Sequence, residues 1–300
     1  MKTNYIKAAI ISCLMWAPIF VLAQDTPTAD EAPSAEVVKG TFENNLHINN
    51  QTVQTHDKGY LEFLIQHRFG TIDKASDMWG LYAPSNIRMY FGYGVTRDLS
   101  VGFGATKTKQ LYDFSWKYAI LRQKTIGMPI SLTYSGNLGI RGGDKDGFKN
   151  STNEYKATNR FSYYHELLLA RKITKKISLQ GGINYAHYNL VDKATLKDMH
   201  DFIGMSVIGR YKFSPQGSFM VEFDKPLNVS GVAEASRPLP NLGIGVEFST
   251  GYHQFQIFVC NSSGILNQEA KFNNYNDFSD FGVPGYLIGF NMTRQFGFGE

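Results

Sequence analysis

Cysteine is almost missing from this chain. The 300 residues hold two, Cys13 and Cys260. Cys13 sits in an apolar leader, so Cys260 is the sole cysteine beyond it and no intramolecular disulfide is expected. Past residue 23 no stretch approaches the ~20 consecutive apolar residues of a membrane helix. One-sided charge is lacking too: the formal net charge is +4, and two of the lysines behind it, Lys2 and Lys7, lie in the leader. That balance suggests neither a nucleic-acid partner nor a polybasic membrane patch. No His/Cys/Asp cluster has metal-ligand spacing, and no cofactor is expected.

The leader has one simple reading. Lys2 and Lys7 precede the apolar run Ala8 to Leu22, and Val21-Leu22-Ala23 offers small-residue cleavage before Gln24, so residues 1–23 read as an export signal. Pro18 interrupts a run already short for a membrane anchor. Ile10-Ile11-Ser12-Cys13 matches a lipoprotein box only superficially, because apolar sequence continues beyond Cys13. Residues 24–58 read as a periplasmic lead-in. Within it Asp25 to Glu36 is acidic and Pro/Ala-rich, like a solvated linker. Val37 to Asp57 stays open: Phe42, Leu46, Ile48 and Val53 suit a short strand or an inward-tucked segment.

From Tyr60 onward a period of two dominates. Leu61, Phe63 and Ile65 oppose Glu62, Gln66 and Arg68; Ile87, Met89 and Phe91 oppose Arg88 and Gly92; Tyr112, Phe114 and Trp116 oppose Asp113, Ser115 and Lys117. Twelve such segments follow one another to residue 298, and no 3.6-residue period fits them better. Tyr 17, Phe 22 and Gly 29 are high counts suited to half-buried β surface. The mean hydropathy of −0.25 fits strands that alternate lipid-facing and lumen-facing residues. A soluble sandwich alternates as well, so connection length decides. Short links after strands two, six, eight and ten alternate with long ones after one, five, seven, nine and eleven, with Lys107 to Gln110 the exception. Tyr93, Tyr211, Phe213, Phe219, Phe248, Tyr252 and Phe296 flank the short links like an interfacial girdle. The expected fold is an all-β, closed antiparallel transmembrane barrel of about twelve strands over residues 59–298, both termini periplasmic, its outer wall against outer-membrane lipid.

The ordered set Ile65-Gln66-His67-Arg68-Phe69-Gly70, Trp79-Gly80, Ile87-Arg88, Tyr93-Gly94 and Lys117-Tyr118 resembles a family of bacteroidete outer-membrane β-barrel proteins catalogued as a domain of unknown function. The resemblance covers roughly Thr41 to Phe298. It implies outer-membrane residence and a barrel, and carries over no catalytic residue. The near-terminal aromatics Phe296 and Phe298 suit recognition by barrel-assembly machinery, although Gly299 and Glu300 follow them.

Candidate site residues lie on the lumen parity: Glu62, Arg68, Arg88, Asp113, Lys117, Glu166, Arg210, Glu222 and Glu247. They line either a charged constriction passing small polar solutes or an ion-pair network filling a narrow barrel, about twelve strands being intermediate between filled and open. Three readings follow: a narrow channel, a plugged barrel whose long loops engage a partner, and a lipid hydrolase built from Ser162, His165 and His187. Parity sets Ser162 and His165 on opposite faces, against the nucleophile–base contact a hydrolase needs. His67, His165, His187 and His253 fall mainly on the lipid side. Asp144-Lys-Asp146-Gly147 begins like a calcium loop, but Tyr155 stands where a bidentate Glu is required.

Overall fold

The computed structural model describes residues 35–72, 78, 80–148, 155–191, 199–230, 232–279 and 285–298. The signal reading of residues 1–23, the first part of the lead-in and Trp79 lie outside them. Two short strands come first, β1 (Leu46–His47) and β2 (Asn50–Gln51). Twelve long ones follow: β3 (Tyr60–Arg68), β4 (Asn86–Gly94), β5 (Leu99–Thr106), β6 (Leu111–Leu121), β7 (Ser131–Arg141), β8 (Phe161–Lys172), β9 (Ile177–Tyr188), β10 (Asp201–Lys212), β11 (Gly217–Pro226), β12 (Asn241–Thr250), β13 (His253–Cys260) and β14 (Leu287–Gly297). Each pairs antiparallel with its sequence neighbours, and β14 closes on β3. Closure removes every free edge, so the backbone of the wall is paired strand to strand without water, with one register shift between Ala119 and Leu121.

Side-chain parity then sorts the wall. On β10, Phe202, Gly204, Ser206, Ile208 and Arg210 are buried while Ile203, Met205 and Val207 are exposed. Ile183 on the neighbouring strand is 68% exposed. A wall of Leu, Ile, Val, Phe and Tyr facing outward all round is stable only against hydrocarbon.

The two rims differ. One carries the connections 95–98, 122–130, 173–176, 213–216 and 251–252, and the other 69–85, 107–110, 142–160, 189–200, 227–240 and 261–286. The girdle aromatics sit at the short-turn rim and are exposed, with Phe213 and Phe219 in contact at 4.7 Å between ring centroids.

The segment left open by the sequence, Val37 to Asp57, goes inside. Val38 donates to the Gln123 carbonyl at the short-turn rim, and Gly59 to that of Gly94 at the same rim. Between them residues 41–56 fold into a hairpin within the lumen, with Leu46 opposite Gln51 and His47 opposite Asn50. Of the lead-in drawn over residues 24–58, residues 41–56 thus lie in the lumen. Its four apolar residues explain the placement. Phe42 and Val53 pack on Leu168, Ala170 and Ile208, and Ile48 packs on Met220, Phe258, Cys260 and Leu287. Four such side chains gain on the order of 6–12 kcal/mol from burial. The wall has made room: a Cβ on Gly94 would lie 2.0 Å from the Asp57 carbonyl oxygen.

Candidate functional site

The interior is built from two layers of polar groups, one on the wall and one on the hairpin. All nine candidate residues (Glu62, Arg68, Arg88, Asp113, Lys117, Glu166, Arg210, Glu222 and Glu247) face the lumen and are buried. Their partners divide them. Arg88 and Asp113 meet wall to wall in a fork, Nε to Oδ1 at 3.0 Å and Nη2 to Oδ2 at 2.7 Å, with Asn137 donating to the same carboxylate at 2.8 Å. Most of the others end on the hairpin.

Arg68 donates to the Asn49 side-chain oxygen at 2.8 Å and to the Ile48 carbonyl at 3.2 Å, its guanidinium lying over Phe258. Glu222 accepts from the Asn49 backbone, the Asn49 amide and the Asn50 amide, at 2.9, 2.6 and 2.8 Å. Lys117 donates to the carbonyls of Asn45 and Gln54, each at 3.0 Å. Glu62 accepts from Asn45 at 3.2 Å and faces His56 at 3.3 Å. Arg210 reaches Glu43 at 2.5 Å and Glu247 at 3.5 Å. A buried charge is tolerated only with partners of this kind, and here a nearly uncharged hairpin supplies them through amides and carbonyls.

The hairpin is held under local strain. Ile48, the first residue of its two-residue turn, has φ +55°, a left-handed conformation that a β-branched residue rarely adopts. Its carbonyl accepts from both Arg68 and Asn291. His47 beside it is fully enclosed. Burial pushes its imidazole down to about 4, with the Arg210 charge adding to the effect and the Val221 carbonyl opposing it.

A second plug element comes from the other rim. The connection 261–286 carries the short helix Asn267–Phe272, anchored at the mouth by an ion pair between Lys109 and Glu269. From it Lys271 descends into the lumen, where it lies 2.7 Å from Asp224 and 3.5 Å from Glu166 and donates to Asn50. Burial lowers its basicity, but Asp224 and Glu166 outweigh that and hold the ammonium above the ordinary lysine range. Lys271, Asp224 and the hairpin amides are absent from the residues singled out by sequence. Asp224 carried a signal, sharing the parity of Glu222. Lys271 carried none, because its position depends on how a long connection folds back.

Open space follows from this filling. A vestibule of about 560 Å³ lies at the long-loop rim and one of about 400 Å³ at the short-turn rim. Between hairpin and helix, among the described residues, lies a cavity of about 30 Å³ lined by Glu62, Gln66, Arg88 and Lys117 among others. It has room for a water or two.

The outer-wall residues of the hydrolase reading are not assembled. Ser162 faces the lumen and accepts from Gln268 at 3.2 Å, while His165 faces outward and hydrogen-bonds Tyr134 at 2.7 Å. His187 pairs with Asp201 at 2.8 Å. Among the described residues no group of three His, Cys, Asp or Glu could hold a metal ion.

With the geometry in hand, comparison with known proteins gives a direct result. The family model described as a membrane bound beta barrel domain (DUF5777) matches residues 42–296. The chain belongs to this family. The match begins inside the hairpin and runs through the last strand. No curated protein matches the chain by sequence. Solved structures with a similar chain path include a NanC porin, at 10% identity over 78% of this chain and 97% of that one, TM-score 0.47. A KdgM porin has 9% identity over 80% and 99%, TM-score 0.44. An outer membrane channel from Pseudomonas putida F1 has 10% identity over 81% and 98%, TM-score 0.48. Such low identities transfer neither solute nor residue roles.

Proposed function

We propose that this protein is an outer-membrane channel for small polar solutes, closed in the present conformation by its own residues 41–56. The observation that carries the reading is the layout of the lumen: a vestibule at each rim, and between them a hairpin whose two ends leave by the same rim. With short turns on the periplasmic side and long loops outside, that rim is periplasmic. A permanently filled barrel has no need of a removable filler, since wall side chains of larger size would serve. Here wall charges end on hairpin amides instead, and small wall residues such as Gly94 leave space for it.

The test is planar-bilayer recording of the refolded barrel with and without residues 41–56. The expected result is rare or brief opening of the intact chain and steady conductance after the deletion. A barrel that lacks residues 41–56, carries Lys271→Ala to release the second plug element and folds yet stays silent would overturn the channel reading. It would leave in front a plugged barrel that binds a partner through its long loops, a reading supported by the inward-folded connection 261–286.

A further inference from the structure

The buried charges of the barrel wall do not balance. Six carboxylates are buried there, Glu62, Asp113, Glu166, Glu222, Asp224 and Glu247, against four cations, Arg68, Arg88, Lys117 and Arg210. Asp113 has Arg88, and Glu247 lies 3.5 Å from Arg210. The uncompensated acid gathers at one place, where Glu166 on β8 and Asp224 on β11 reach inward. The fifth buried cation, Lys271, answers it, and it belongs to a loop rather than to the wall.

Three oxygens surround that ammonium: Asp224 Oδ1, Glu166 Oε1 and Asn50 Oδ1. Two of them accept hydrogen bonds from it and the third, Glu166 Oε1, stands at ion-pair distance, a set that suits a primary ammonium with its three N–H donors. The same oxygens come from separate elements, and among the described residues none forms a metal-holding group. The surroundings also hold acceptor capacity that Lys271 leaves unused. Asn184 Oδ1, on the β9 residue paired with Glu166 of β8, is buried with no hydrogen-bond partner. Phe202 and Phe272 supply an apolar wall beside them, the Phe272 ring standing close to Gly204 next to Asn184.

We infer that the Asp224–Glu166–Asn50 oxygens form a binding subsite for the primary ammonium group of a small organic cation, and that Lys271 occupies it as an internal stand-in while the barrel is closed. A solute amine that displaces Lys271 frees the helix Asn267–Phe272 from the lumen and opens the long-loop side. Asn50 belongs to the hairpin, so the full set of oxygens exists while residues 41–56 are seated. As a subsite first met by an arriving solute this rests on the channel reading above, but its test involves no conductance.

Lys271→Ala removes three carbons and the ammonium, the same number that n-propylammonium carries. Unfolding of the refolded barrel in detergent is followed by its heat-modifiable migration. Loss of Lys271 leaves buried carboxylates unpaired and is expected to lower the midpoint by roughly 10 °C. Millimolar n-propylammonium is expected to restore at least half of that, saturably. Tetramethylammonium, which has no N–H, and n-propanol, which has no charge, are expected to restore none, and Asp224→Asn in the Lys271→Ala background is expected to abolish the rescue. Equal effects of n-propylammonium and tetramethylammonium would overturn the subsite and leave Lys271 a structural pin. If Lys271→Ala does not refold, hydrogen exchange of the Asn267–Phe272 amides in the unaltered protein decides. Exchange accelerated by n-propylammonium and not by tetramethylammonium supports the subsite, and identical exchange overturns it.

Discussion

Asn49 donates to Glu222 twice, through its backbone N–H at 2.9 Å and its side-chain amide at 2.6 Å. Its side-chain oxygen meanwhile accepts from Arg68 at 2.8 Å. One neutral residue on the hairpin thus joins an anion of β11 to a cation of β3. Without it, a buried carboxylate and a buried guanidinium each lose a partner.

Asn49→Ala is therefore expected to weaken the closed state rather than the barrel. Two charge-assisted hydrogen bonds between buried groups are worth about 3 kcal/mol net at the lower end, or roughly a hundredfold shift toward the open form. Bilayer recordings should find openings more frequent by that order, with the unfolding midpoint of the wall little changed. Unaltered opening would mean that Asn49 is not a tie.

Acid should open the barrel through His47. Its imidazole is held neutral at about 4 when the hairpin is seated and returns to an ordinary value near 6.5 when it is free. The open form therefore binds the extra proton. This contribution to closure is complete above pH 6.5 and is lost as the pH falls toward 4, up to about 3 kcal/mol. Opening measured between pH 7 and pH 4.5 should rise, and His47→Gln should flatten the rise. An equally steep response in that variant would assign the effect to other groups.

The Arg88–Asp113 fork should behave differently, because both partners belong to the wall. Arg88→Ala strands a buried carboxylate and is expected to cost about 3–5 kcal/mol of barrel stability. Replacing both residues with apolar ones of similar size should recover most of it. Urea unfolding of the single and double variants checks this, and a double variant no better than the single one would contradict it.

The wall was legible because its rule is local. Alternation between lipid and lumen needs only neighbouring residues, so on β3 Glu62, Gln66 and Arg68 are buried while Leu61, Phe63 and Ile65 are not, as read from sequence. Lumen parity followed with it, and all nine chosen charged residues face inward. The hairpin was half legible. Phe42, Leu46, Ile48 and Val53 marked it as apolar, but its Asn, Gln and Thr residues look the same in a solvated linker as in a lumen lined with charge. Nothing local says that Asn49 has an ionic partner on each side. Lys271 was invisible for a related reason. Its role depends on β8 and β11, more than forty positions away in the chain, and on a long connection bending inward.

The hairpin enters and leaves by one rim, and its exit runs directly into β3. It can therefore withdraw as a loop, with no chain end drawn through the barrel and no wall hydrogen bond broken at the β3–β14 seam. Because residues 57–59 keep it tethered beside the mouth, its return is an intramolecular event at high effective concentration. The rate of reclosure then does not depend on how much of the protein the membrane holds.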